Sequence, residues 1–80
     1  MNQAIQFIDR VEFNASLQRV YFYAQVSGLM VSCYFNTAKE EQAALEHFTL
    51  KRFDYEDSAE ALIEDEAYTE NGEICVEELL

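Results

Sequence analysis

Few side chains in this sequence are suited to chemistry. His47 is the only histidine among 80 residues, and Cys33 and Cys75 are the only thiols. A histidine acts as a general base only beside a partner that orients it. Its neighbour Glu46 does not serve on a helix, where adjacent side chains point about 100° apart. His47 therefore reads as a surface or structural histidine. Cys33 falls on the apolar face of an alternating segment, where a thiol is inert. Cys75 points outward near the C-terminus, with no nearby cation in the sequence to lower its pKa. No catalytic residue is assigned, and the expectation is that the protein is not an enzyme.

Carboxylates are dense enough to raise metal binding. Asp54, Glu56, Ser58 and Asp65 occupy positions 1, 3, 5 and 12 of a calcium loop. The sixth position of such a loop must be Gly for its sharp turn, and here it is Ala59. The same stretch carries a helical apolar stripe, so the helix reading is preferred. Glu64-Asp65-Glu66 offers weak divalent binding without convergent ligands. No metal site and no cofactor is assigned. What folding does not ask for is the acidic face of this helix. Glu56, Glu60 and Glu64 recur at i,i+4, with Asp57 and Asp65 two such steps apart, and like charges so spaced cost about 0.2–0.5 kcal/mol per pair. Glu56, Asp57, Glu60, Glu64 and Asp65 form a candidate interaction face for a basic protein, the alternative being a solubilising surface or, further off, a DNA mimic.

The charge is unevenly spread. Residues 1–52 hold five acids and all five bases, while residues 53–80 hold the other eleven acids and no base, which puts the net charge of −11 on the last third of the chain. Such a field repels nucleic acid and anionic membrane and attracts basic partners. No Gly-rich phosphate loop and no basic patch with interleaved aromatics is present. Met1 to Ile8 lacks the basic and apolar regions of a signal peptide, and no apolar stretch is long enough for a span. Two cysteines make no disulfide framework, since a secreted domain of this size usually carries four or more. A cytoplasmic location is expected.

The elements that position these residues follow from periodicity. One domain over residues 1–80 is expected from the length. Ala4 to Ile8 reads as a short strand with Ile5 and Phe7 on one face. Val11 to Leu17 reads as irregular, anchored by Val11, Phe13 and Leu17, with a turn at Asn14-Ala15-Ser16. A hairpin, 18–26 and 29–35, is the clearest element. Val20, Phe22, Ala24 and Val26 alternate with polar or tyrosine positions, as do Leu29, Val31, Cys33 and Phe35, around a Ser27-Gly28 turn. Pairing across that turn sets Val26 against Leu29, Ala24 against Val31, Phe22 against Cys33 and Val20 against Phe35, so paired residue numbers sum to 55. A one-residue slip would turn one strand inside out. Thr37 and Glu40 are spaced as a capping box for a helix through Ala43, Ala44, Leu45 and Phe48. Asp54, Asp57 and Ser58 open a second helix with a buried stripe of Ala59, Leu62, Ile63 and Ala67, stopped by Asn71-Gly72. Glu73 to Glu77 closes the chain as a strand with Ile74 and Val76 inward. The order β-β-β-α-α-β argues for an α+β fold, a small antiparallel sheet with two helices on one face.

The blocks Asn2-Gln3-Ala4-Ile5-Gln6-Phe7 and Phe22-Tyr23-Ala24-Gln25-Val26-Ser27-Gly28 carry a resemblance, as does the tail from Arg52-Phe53-Asp54 through Ala61-Leu62-Ile63-Glu64 to Gly72-Glu73-Ile74. Across nearly the whole chain the sequence resembles the bacterial family of small uncharacterised proteins known as domain of unknown function 1488. The resemblance implies an α+β domain found alone in bacteria, with no assigned activity and no catalytic residues to carry over.

The leading functional expectation is a non-enzymatic interaction or regulatory module that presents an acidic helix. The alternative is a structural, oligomeric protein. Tyr21, Tyr23, Met30 and Tyr34 make the second face of the hairpin too apolar to be simply wet. Two short helices cover one face of a small sheet, so either the segment around Phe7, Val11, Phe13 and Leu17 or a second chain in a homodimer must cover the tyrosines. An enzyme with a site between two chains is the third expectation.

Overall fold

The computed structural model describes residues 4–80, so Met1, Asn2 and Gln3, with the opening of the first resemblance block, lie outside the described residues. The elements run β1 (Ile5–Asn14), β2 (Arg19–Val26), β3 (Leu29–Asn36), α1 (Glu41–Leu50), α2 (Arg52–Glu64) and β4 (Ile74–Cys75), and the four strands lie side by side in sequence order. Both helices pack on one face. The α+β architecture and its β-β-β-α-α-β order are those expected.

The hairpin has the expected register throughout: Val26 pairs with Leu29, Ala24 with Val31, Phe22 with Cys33 and Val20 with Phe35. Ser27 and Gly28 both take positive φ, 50° and 87°, the requirement of a type I′ turn whose twist matches the strands. The inward residues of β2 and β3 meet Ala44 and Phe48 of α1, Tyr55, Ala59 and Ile63 of α2, and Ile74 and Val76 of the C-terminal segment in one core. Leu29 departs from this pattern. It shares the inner face but is 73% exposed, because it sits at the turn beyond the cover of the helices.

Five boundaries differ from those the sequence predicts. The first strand does not end at Ile8 but continues to Asn14 through a bulge, where three residues between Phe7 and Val11 face one on β2. The bulge breaks alternation, so Asp9 and Arg10 read as loop when they belong to a strand. Of the three expected anchors, Phe13 packs against the core, whereas Val11 and Leu17 are exposed. At α1 the N-cap is Glu40, whose carboxylate accepts from the N–H groups of Gln42 and Ala43. Thr37 instead accepts from Lys39 N–H and donates to Glu78. Helix α2 starts at Arg52, two residues before the expected Asp54, and Tyr55 joins its buried stripe.

That helix also ends well before Asn71-Gly72. Glu66 takes φ 56°, its N–H donates to Ile63 C=O, and Ala67 N–H reaches back to Leu62 C=O. This pair of bonds is a Schellman stop, and it leaves Ala67 exposed rather than buried. Asn71 and Gly72 belong to a later turn, closed by Thr69 N–H to Glu73 C=O at 2.8 Å. The last strand is only Ile74–Cys75 and pairs parallel to β3, so the sheet is antiparallel across β1 to β3 only. Parallel neighbours need a long crossover, and the two helices between Asn36 and Ile74 supply it.

Candidate functional site

Two surfaces correspond to the residues singled out from the sequence, and a third group, half-buried, does not. On α2 the five acidic residues do not act as a unit. Asp57, Glu60 and Glu64 are exposed. Asp65 is exposed too but is the C-cap residue of the helix. Glu56 turns away from solvent, with its side chain 16% exposed and its carboxylate accepting from Arg52 Nε at 3.0 Å. Arg52 also donates to Asp9 Oδ1 at 3.0 Å and to the Ile8 carbonyl at 3.2 Å, tying the start of α2 to the bulge of β1. Asp57, Glu60 and Glu64, at i, i+3 and i+7, line one outer stripe. Among the described residues none of the three has a cation within ion-pair distance.

The open face of the sheet carries Tyr21, Tyr23, Met30 and Tyr34, and its tyrosines are tied up within the chain. The Tyr23 hydroxyl donates to Glu12 Oε1 at 2.6 Å, Arg10 lies 4.6 Å over the Tyr23 ring, and Arg10 also pairs with Glu12 at 2.8 Å. Arg19 lies 4.1 Å over the Tyr34 ring and donates to the Tyr21 hydroxyl and to Asn36 Oδ1. The Tyr21 and Tyr34 rings meet at 5.4 Å. Burial and the Glu12 hydrogen bond push the Tyr23 phenol up to about 12. The Tyr23 and Arg10 hydrogen bonds hold the Glu12 carboxyl below its usual range. Tyr34 is buried and Met30 is 54% exposed. The segment expected to fold over these rings is strand β1, which lies beside β2 and not across it. Arg10 of β1 covers the Tyr23 ring and Arg19 of β2 the Tyr34 ring.

The group not anticipated joins α1, α2 and the C-terminal segment. His47 Nε2 lies 2.6 Å from the Tyr55 hydroxyl, which accepts from Leu79 N–H at 2.9 Å. The Tyr55 ring stacks on Phe35 at 4.2 Å and 8°. Beside it Glu78 accepts from Lys39 Nζ and from the Thr37 hydroxyl, each at 2.7 Å. Those bonds hold the Glu78 carboxyl low, while burial, with Lys39 and Lys51, holds the His47 imidazole below its usual value. Tyr55 has no exposed surface and His47 is half-buried, and their contact ties α1 to α2 and, through Leu79, to the C-terminal segment. No sequence signal marks it, because His47 and Tyr55 are eight residues apart across a helix junction whose angle decides their meeting. Cys33 is buried, with its thiol pushed up to about 12, and Cys75 is exposed. Among the described residues no three His, Cys, Asp or Glu side chains converge as a metal needs, no buried side-chain N or O atom lacks a partner, and no helix is long and apolar enough to cross a membrane.

Comparison with known proteins adds kinship without an activity. The family described as "Protein of unknown function (DUF1488)" matches residues 5–76. The chain is similar to the uncharacterized protein YrdB of Escherichia coli (strain K12), 35% identical over 90% of this chain and 94% of that protein. It is 34% identical to the uncharacterized protein YrdB of Shigella flexneri with the same coverage. A crystal structure of a DUF1488 family protein of unknown function from Shewanella loihica PV-4 superposes with a TM-score of 0.85 at 34% identity, over 95% of this chain and 94% of that one.

Proposed function

The chain belongs to the DUF1488 family, whose members are proteins of unknown function, and from that starting point we propose that it is a non-catalytic interaction module of the bacterial cytoplasm that presents its helical layer to a basic partner protein. The observation that carries this reading is the outer stripe of α2. Asp57, Glu60 and Glu64 stand exposed on consecutive turns with no ion-pair partner among the described residues. Repulsion along such a stripe costs the free protein stability, and a cationic partner removes that cost while gaining charge-assisted contacts. We assign the interaction to the helices and not to the sheet because Arg10, Arg19 and Glu12 already occupy the tyrosine face.

The test uses the immobilised chain beside a variant with Asp57, Glu60 and Glu64 changed to lysine. The wild type captures a basic protein that elutes as salt rises from about 0.1 to 0.5 M, where surface charges become screened, and the purified partner rebinds wild type and not the variant. Equal rebinding to both would overturn the assignment.

A further inference from the structure

Acidity alone would hold any basic protein, and the corner between the helices adds a second kind of recognition. Leu50, the last residue of α1, is 85% exposed, and Phe53, the second residue of α2, is 78% exposed. Single exposed apolar residues are ordinary on a protein surface. These two are large, flank one helix junction, and neither packs against the core. Phe53 also opens the acidic stripe. Phe53, Asp57, Glu60 and Glu64 follow i, i+4, i+7 and i+11, which is one face of a helix and spans about 16 Å at 1.5 Å per residue. On the other side Leu50 ends a shallow open trough of about 770 Å³ along α1, whose lining includes Glu41, Leu45, Glu46 and Thr49. From Leu50 and Phe53, which flank Lys51 and an Arg52 already paired with Asp9 and Glu56, both outer helix faces therefore run into acid without an ion-pair partner among the described residues.

We infer that this corner and stripe form one docking surface for a basic amphipathic segment, with a bulky apolar side chain on Leu50 and Phe53 and lysines or arginines at one-turn spacing along Asp57, Glu60 and Glu64. The inference rests on the acidic-face reading and names its partner more closely. Charge complementarity selects the occupant. A second copy of this chain would bring net −11 against net −11, whereas a segment with cations at helical spacing matches the stripe.

The experiment titrates the full chain into two labelled helical peptides of equal length and lysine content, one with a leucine at the end of its lysine stripe and one with serine there. The leucine peptide is expected to bind about tenfold tighter, the effect of burying one apolar side chain. Phe53→Ser and Leu50→Ser should each reduce that preference while leaving the serine peptide's affinity and the urea midpoint unchanged, since both side chains are exposed. Equal binding of the two peptides overturns the anchor and leaves the acidic reading standing. A preference that survives both substitutions also overturns it, because the anchor then sits elsewhere. Binding of neither peptide overturns both readings.

Discussion

The Tyr55 hydroxyl sits between an imidazole and a main-chain N–H, with its ring flat against Phe35. Tyr55→Phe keeps the stack and removes both hydrogen bonds, so it is expected to lower stability by about 1–2 kcal/mol in urea unfolding. Truncating the ring to alanine would add a core cavity and cost more. The imidazole partner gives stability a pH dependence of definite sign. His47 is held below its usual 6.5 by burial and by Lys39 and Lys51, against the pull of Glu78. The unfolded chain takes up a proton near 6.5 and the folded chain only at lower pH, so this contribution is complete above 6.5 and is lost as pH falls below it. Urea midpoints of the wild type and His47→Gln, compared between about pH 7.5 and 5.5, should converge as pH falls. A constant gap would show that His47 titrates at its ordinary value. Alternation alone places Cys33 inside, because a strand period of two is a local property. The meeting of His47, Tyr55 and Leu79 is set by three elements at once, and no spacing in the chain encodes it.

Hairpin and helices differ in how openly their limits are written. The β2–β3 register follows from two apolar alternations around Ser27-Gly28, and each paired residue agrees with it. Strand β1 hides its length because its bulge sets Asp9 and Arg10 in the middle of a pattern that otherwise alternates. The end of α2 is hidden for another reason. Its stop is built on Glu66 in the left-handed region, a conformation that usually selects Gly or Asn. Asn71-Gly72 has the conventional stop composition but serves a later turn. The strain at Glu66 yields a direct expectation. Glu66→Gly should raise stability by about 1 kcal/mol, by relieving the left-handed backbone and removing a carboxylate from the negative end of a helix. Urea unfolding measures it, and a loss of stability would mean that the carboxylate has a stabilising partner.

Charge acts on the fold as a sum. Of sixteen carboxylates, four hold an ion-pair partner among the described residues: Asp9, Glu12, Glu56 and Glu78. The melting temperature is therefore expected to rise as sodium chloride goes from about 0.1 to 0.5 M, because salt screens the remaining repulsion within a Debye length of about 10 Å or less. The ion pairs it also weakens are worth at most about 1 kcal/mol each when exposed. Thermal melts that stay flat or fall with salt would count against the repulsion argument. The order of elements and the location of the net charge are both written in the sequence, since each is a property of consecutive residues. The parallel seat of β4 and the apolar corner at Leu50 and Phe53 are not, since they depend on which faces the helices leave uncovered. The same holds for Arg52, whose guanidinium closes on the Ile8 carbonyl where β1 has no neighbouring strand. A ten-residue border strand is an open template on which a further strand, from any chain, can add. Here the bulge interrupts that template at its middle and Arg52 occupies one of its acceptors, two devices that blunt an edge against the addition of a further strand.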